Sequence, residues 1–257
     1  MFENKLPNYD LLRKEYTLID MHVHSNASHD CGTSIQSIGS KLKMLGIGVA
    51  ITDHNTILGS LSLKGQFRDL LIIPGIEVTT KENKDVLLYF EKFSELKDYS
   101  EKVVEKGLKN KRTNTFKMRT SINLAELFDS AADYNALRVM PHPLQKPKGL
   151  FNYVKKNKEL LKKIDAIEAL NAGSRKKNNE KIMSWTEELS LPATAGSDSH
   201  IIQNLGNVVT LSREETVSDI LESIRRREVE LKGKCNGLRD DLRSFSGIVK
   251  NKMSFKK

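Results

Sequence analysis

Cysteine is scarce in this chain. Cys31 and Cys235 are the only two in 257 residues, too few for a disulfide framework or a cysteine-only zinc site. Aromatic residues make up 6% of the chain, and no basic stretch is interleaved with aromatics in the manner of a base-stacking platform. No apolar run approaches the ~20 residues of a membrane span. The opening MFENKLPNYDLLRKEYTLIDMHVH has neither the apolar stretch nor the small-residue cleavage site of a secretory signal, so secretion is not expected. No G-x-S-x-G elbow and no P-loop occur, so covalent acyl transfer and nucleoside-triphosphate hydrolysis lose their usual support. Internal repeats and low-complexity tracts are absent too. The expectation is a cytoplasmic protein in a reducing compartment.

What is present suits a folded enzyme. Hydrophobic residues at 38% and charged residues at 29% allow a sizeable core, and the length fits a single α/β barrel. Forty-two Lys and Arg against 33 Asp and Glu give a net charge of +9, which favours anionic partners such as phosphorylated metabolites or nucleic acid. Most individual lysines read as solvated surface.

Short apolar runs alternate with helical patterns. Runs at 18–23, 48–52, 70–74, 85–90, 137–140, 166–170, 193–196, 208–211 and 229–232 read as strands. Stretches near 35–45, 124–134, 179–189 and 217–227 read as helices. Strands spaced by helices argue for βα units and a mostly parallel sheet, closed as a barrel or, as the structural rival, doubly wound and open. The organisation expected is a polar lead-in at 1–16, a barrel over 17–233 and a basic tail over 234–257. Residues 106–119 carry six basic residues and no acidic one, which reads as an exposed loop or a contact to phosphates.

The six histidines carry the chemical signal. His22 and His24 form H-x-H at the end of the first strand, where residues i and i+2 share a side. His54 follows Ile51-Thr52-Asp53, His142 sits in Pro141-His142-Pro143, and Asp198 and His200 repeat the i, i+2 spacing after another strand. Strand ends meet on one face of a βα barrel, and imidazoles gathered there with carboxylates are ligands for divalent metals. One strand-end histidine is more often structural, but five together weigh for metal. His29, outside the pattern, is expected beside the ligands or exposed, Asp53 behind His54, and Cys31 as an incidental small residue.

The motifs D-M-H-V-H-S with Asp30 following, I-T-D-H-N-T, P-G-I-E-V, P-H-P and G-S-D-S-H occur in an order that resembles the polymerase-and-histidinol-phosphatase (PHP) superfamily. The resemblance spans residues 18–232. It implies a distorted seven-stranded (β/α) barrel with the metal site at the C-terminal strand ends, two or three divalent ions (Mn, Zn or Fe) and phosphoesterase chemistry. It also implies a ligand set: His22, His24, Glu77 and Asp198 for one metal, Asp30, His54 and His200 for another, and a third between Glu77 and His142. Glu77 would bridge metals, with Asp198 and His200 as its catalytic companions, and Gly75 is expected to turn the backbone so that Glu77 aims inward. The family usually has a histidine on the next strand, and here Asp85 stands at about that place, as a ligand or as a solvated carboxylate.

The activity expected is hydrolysis of a phosphomonoester or nucleotide by metal-activated water. Arg175, soon after Glu168-Ala169-Leu170-Asn171, is the expected phosphate contact. Lys148 and Arg119 are weaker candidates, and Asn171 is a pocket residue or a strand-end cap. The alternatives are a nuclease acting on RNA or DNA, which the basic stretches favour, a non-catalytic metal-binding regulatory module, and an aminohydrolase, whose barrel also carries His-x-His.

Overall fold

A computed structural model describes residues 3–109 and 119–236. Nine strands make one sheet: β1 (Thr17–Val23), β2 (Gly48–Ile51), β3 (Ile72–Thr79), β4 (Asp85–Tyr89), β5 (Leu137–Met140), β6 (Ala166–Asn171), β7 (Ala193–Gly196), β8 (Val208–Ser212) and β9 (Glu230–Gly233), in the order β7-β6-β5-β4-β3-β2-β1-β8-β9. The sheet is nearly closed, because the chain after β7 returns to β1. There the Asp198 N–H donates to the His22 carbonyl at 2.8 Å, and the His24 N–H donates to the Ser199 carbonyl at 3.1 Å.

All nine apolar runs became strands, so the barrel-like sheet has nine strands where seven were expected, and two of them break the parallel order. β4 and β8 run against all the others. The reason for β4 is the length of its connection. Residues 80–84 separate it from β3, with Asn83 at φ 61°, whereas a parallel crossover needs a dozen or more residues. The hairpin therefore places Asp85 opposite Thr79, at the rim where the other strands end. Gly75 does not turn either. It pairs with Tyr89 inside β3, and a Cβ there would meet Thr52 at 3.0 Å and the Tyr89 ring at 3.2 Å.

Helices flank the sheet. Ile35, Ile38 and Leu42 pack with Val49, Ile51 and Val209. On another side Leu96, Tyr99, Leu127 and Phe128 cover Val78, Val86, Leu88 and Ile167. The helix Ile35–Leu45 starts at a Ser34 cap and stops at Gly46, whose φ of 61° suits glycine. The helix Leu58–Gln66 escapes a sequence reading because Gly59 and Gly65 lower its propensity. Gly59 is needed there, since a Cβ would lie 2.0 Å from Asp53 Oδ2. Inside, Ile19, Met21, Ala50, Ile73, Leu87 and Val139 join a cluster with Ile220, Leu221 and Ile224 of the helix Val217–Arg225. Among the described residues no helix is long and apolar enough to cross a membrane. The basic run and the tail lie largely outside the described residues, at 110–118 and 237–257.

Candidate metal centre

The strand ends bring the histidines together. His22 and His24, on and just after β1, have their Nε2 atoms 3.1 Å apart. Glu77, fully buried in β3, lies between the groups. Its Oε2 is 3.6 Å from His22 Nε2, 3.4 Å from His24 Nε2 and 3.1 Å from His54 Nδ1. Its Oε1 is 3.2 Å from His142 Nε2. Asp198 Oδ1 faces His24 Nε2 at 3.4 Å and His22 Nε2 at 3.6 Å. Asp30 Oδ2 lies 3.3 Å from His54 Nε2 and 3.2 Å from His200 Nε2. Every expected ligand is therefore in the cluster.

Four sets within it have ligand atoms all within 4.8 Å of one another: His24, Asp30, His54 and His200; His22, His24 and Asp198; His22, Glu77 and His142; and His54, Glu77 and Asp85. Atoms left without a hydrogen bond include His24 Nδ1, His54 Nδ1, His142 Nδ1 and Glu77 Oε2, all buried. Buried polar atoms are costly when unpaired. His22 Nε2 and His24 Nε2, 3.1 Å apart, need a proton on one of them or a cation between them. The donor set therefore fits divalent cations, as nitrogen and carboxylate ligands do.

Charge balance points the same way. Burial opposes charge on His54 and His200, but Glu77 and Asp30 around the first and Asp30 and Asp198 around the second outweigh it. Their rings are raised to about 10 and about 9. His22 is raised too, against burial, by Glu168, Asp198 and Glu77. Burial likewise opposes charge on Asp30, Glu77 and Asp198, yet the imidazoles hold all three below the ordinary carboxylate range. Among the ligand histidines His24 alone goes the other way, lowered to about 4 by burial and by its neighbours His200 and His54. The carboxylates thus demand positive charge, which protons supply when metal does not.

The supports behind the ligands are strand residues that sequence reasoning left without a role. Glu168 in β6 accepts from His22 Nδ1 at 3.0 Å through Oε1. Its Oε2 accepts the His142 N–H at 2.7 Å and Asn171 Nδ2 at 2.9 Å. A carboxylate at Nδ1 fixes the tautomer that leaves Nε2 free for a metal. The available signal was a charged residue inside the apolar run Ala166-Ile167-Glu168-Ala169-Leu170. Asp20 shows the same signal in β1: it accepts the Ser197 and Gly206 N–H groups at 2.8 Å each, and burial pushes its carboxyl up to about 6.

Other expected residues fall differently. Asp53, expected behind His54, is buried and accepts the Ser25 N–H and hydroxyl at 2.6 Å each, just after His24. Asn171 is buried and orients Glu168. His29 joins none of the four sets among the described residues, although its ring lies 5.3 Å from that of His54. Cys31 is more than incidental: its buried Sγ lies 3.3 Å from the carbonyls of both His24 and His200. Arg175 is exposed at the N-terminal cap of the helix Lys176–Glu188 and makes no ion pair among the described residues. Asp85 is buried and neutralised by Lys148, 3.2 Å away.

Comparison with known proteins agrees with this architecture. Residues 176–229 match the family model described as PHP-associated. No curated protein matches the chain in sequence. One similar structure is a two-domain protein from Bacteroides vulgatus containing a predicted PHP-like metal-dependent phosphoesterase, at TM-score 0.63 and 18% identity, covering 95% of this chain and 73% of that one. Another is a lesion-specific endonuclease from Pyrococcus furiosus, at TM-score 0.64 and 18% identity, covering 84% of this chain and 57% of that one. Endonuclease Q bound to a 27-mer duplex with an abasic lesion gives TM-score 0.66 and 20% identity, over 82% of this chain and 57% of that one. The matching segment and the fold are thus similar to those of PHP-like proteins.

Proposed function

We propose that the chain is a metal-dependent phosphoesterase that hydrolyses a phosphomonoester or a nucleotide. The observation that carries this reading is Glu77 Oε2, buried and within 3.6 Å of ring nitrogens from His22, His24 and His54. A carboxylate so placed suits two cations that share its oxygens. His22, His24, Glu77 and Asp198 would hold one ion, and Asp30, His54 and His200 another, with a third between Glu77 and His142 if three are held. Bound Mn, Zn or Fe would acidify a water and neutralise charge on the phosphoryl oxygens.

The chain's own residues divide the remaining work by depth. The side chains of His22, His24 and Glu77 are fully buried, whereas those of Asp198 and His200 keep 11% and 18% exposure. Asp30, also 18% exposed, joins Asp198 and His200 on the open side, placed to touch substrate, and His200 Nδ1 donates to the Asp198 carbonyl at 3.0 Å, which holds its ring in place. Glu168 keeps His22 in one tautomer throughout. Arg175 is the proposed contact for a phosphate oxygen. A panel of phosphomonoesters, nucleotides and short oligonucleotides, assayed with Mn and Zn added separately, tests the reading. Hydrolysis of none of them by metal-loaded protein would sink it.

A nuclease is the second reading. Its support is the net charge of +9 and the basic run at 106–119, together with fold likeness to an endonuclease that takes duplex DNA. Binding of an oligonucleotide at low salt, with a strong salt slope, would favour it over the small substrate.

A further inference from the structure

Asp85 belongs to a set that has metal-ligand spacing, with His54 and Glu77, but the protein has already given it a cation. Lys148 Nζ lies 3.2 Å from Asp85 Oδ1, and the Thr79 hydroxyl donates to the same oxygen at 2.6 Å. Lys148 Nζ also donates to Thr79 Oγ1 at 3.3 Å. The pairing is not a chance meeting of surface side chains. The Asp85 N–H donates to the Lys148 carbonyl at 3.2 Å, so backbone and side chain both join the two residues. Lys84 Nζ donates to the carbonyls of Pro147, at 2.5 Å, and Gly149, at 3.1 Å, on either side of Lys148. Asp85 is 2% exposed, which makes its ion pair hard to give up, because separating it would strand a buried charge.

Resting on the metal-dependent reading above, we propose that Lys148 is the protein's own cation at this corner and takes the place of a third metal ion. A metal approaching Glu77 and Asp85 meets an ammonium that cannot become a ligand while protonated, and like charges repel. With Asp85 engaged and His22 Nε2 given to the first ion, Glu77 Oε1 and His142 Nε2 are left facing each other at 3.2 Å. The centre is then dinuclear, and its third positive charge is covalently part of the chain.

The test counts metal. Full-length protein is stripped with a chelator, reloaded with excess Mn or Zn, desalted and measured by elemental analysis. The wild type should hold two ions per chain. Lys148→Met keeps much of the side chain's bulk, removes its charge and should hold three, and adding Asp85→Asn should return the count to two. Three ions in the wild type, or two in a Lys148→Met protein that melts like the wild type, would overturn the proposal. If Lys148→Met does not fold, Asp85→Asn alone decides. A count still at two supports Lys148, and loss of an ion makes Asp85 a ligand and overturns it. Wild-type protein that takes up no metal would instead sink the metal-dependent reading itself, an outcome distinct from a count of three.

Discussion

Two aspartates of one centre, Asp30 and Asp85, behave in opposite ways. Asp30 is held by imidazoles, His54 Nε2 and His200 Nε2, with the Ser28 hydroxyl donating to its other oxygen at 2.7 Å. Asp85 is held by an ammonium and the Thr79 hydroxyl. Both carboxylates are satisfied, but an imidazolium can lose its proton and present a lone pair to a metal, whereas an ammonium near neutral pH cannot. The partner's acidity, more than the carboxylate, separates a ligand in waiting from a finished ion pair.

The largest test of this contrast lies at Glu77, which faces both sides. Glu77→Gln keeps the shape and removes the charge that offsets the cations. Turnover at saturating Mn should fall by roughly 10²-fold or more, the scale of losing one strong electrostatic stabiliser, with the fold intact by circular dichroism. Near-normal turnover would rule out the shared carboxylate.

Next in size are the ligand sets themselves. His22→Ala and Asp198→Ala should each reduce metal content on elemental analysis. Glu168→Gln, which leaves every ligand in place, should weaken metal binding by ~10–100-fold, as loss of a carboxylate behind a ligating histidine does. Unchanged affinity in a calorimetric titration would mean that Glu168 only packs.

The third effect is a slope with pH. His54 and His200 in metal-free protein have pKa values of about 10 and about 9, above the ordinary ~6.5 of an unfolded histidine. Groups raised in this way add stability that is fully present below ~6.5 and is lost as pH rises through the folded values. Metal-free protein should therefore melt at progressively lower temperature from pH 7 to 10. Bound metal uses the same nitrogens without protons, so it should flatten the slope and release protons on binding, which titration in two buffers of different ionisation heat would detect. A flat profile for the metal-free protein would contradict the charge balance of the site.

The smallest effect concerns the basic segments. Removing residues 237–257, or neutralising Lys109, Lys111 and Arg112, should leave hydrolysis of a small phosphomonoester unchanged. If the substrate is nucleic acid, the same changes should weaken oligonucleotide binding and reduce its salt slope.

Much of the rim was legible in the sequence because every ligand but Asp30 ends or follows a short apolar run, and such runs become strands whose ends converge. The direction of a strand was not legible in the same way. It depends on the length of the connection, as residues 80–84 show, and not on the strand's own residues. Gly75 read as a turn because glycine often is one, while the Thr52 and Tyr89 side chains that crowd it lie on or beside neighbouring strands. Lys148 could be weighed only as a loop charge, since its partner lies in β4 and nothing in local spacing joins them. Glu168 and Asp20 were readable as charges inside apolar runs, but most of their hydrogen-bond partners come from distant parts of the chain.

The seam between β7 and β1 has a mechanical consequence. The peptide groups that fasten it, at His22, His24, Asp198 and Ser199, belong to the ligands or their immediate neighbours. Those ligands therefore work like a buckle on a hoop: whatever steadies their side chains also keeps the last gap between staves shut. Amide exchange at His24 and Asp198 should accelerate in Asp198→Ala protein well before the amides of β2 and β3 respond, and equal acceleration across all strands would show that the hoop has no weak point there.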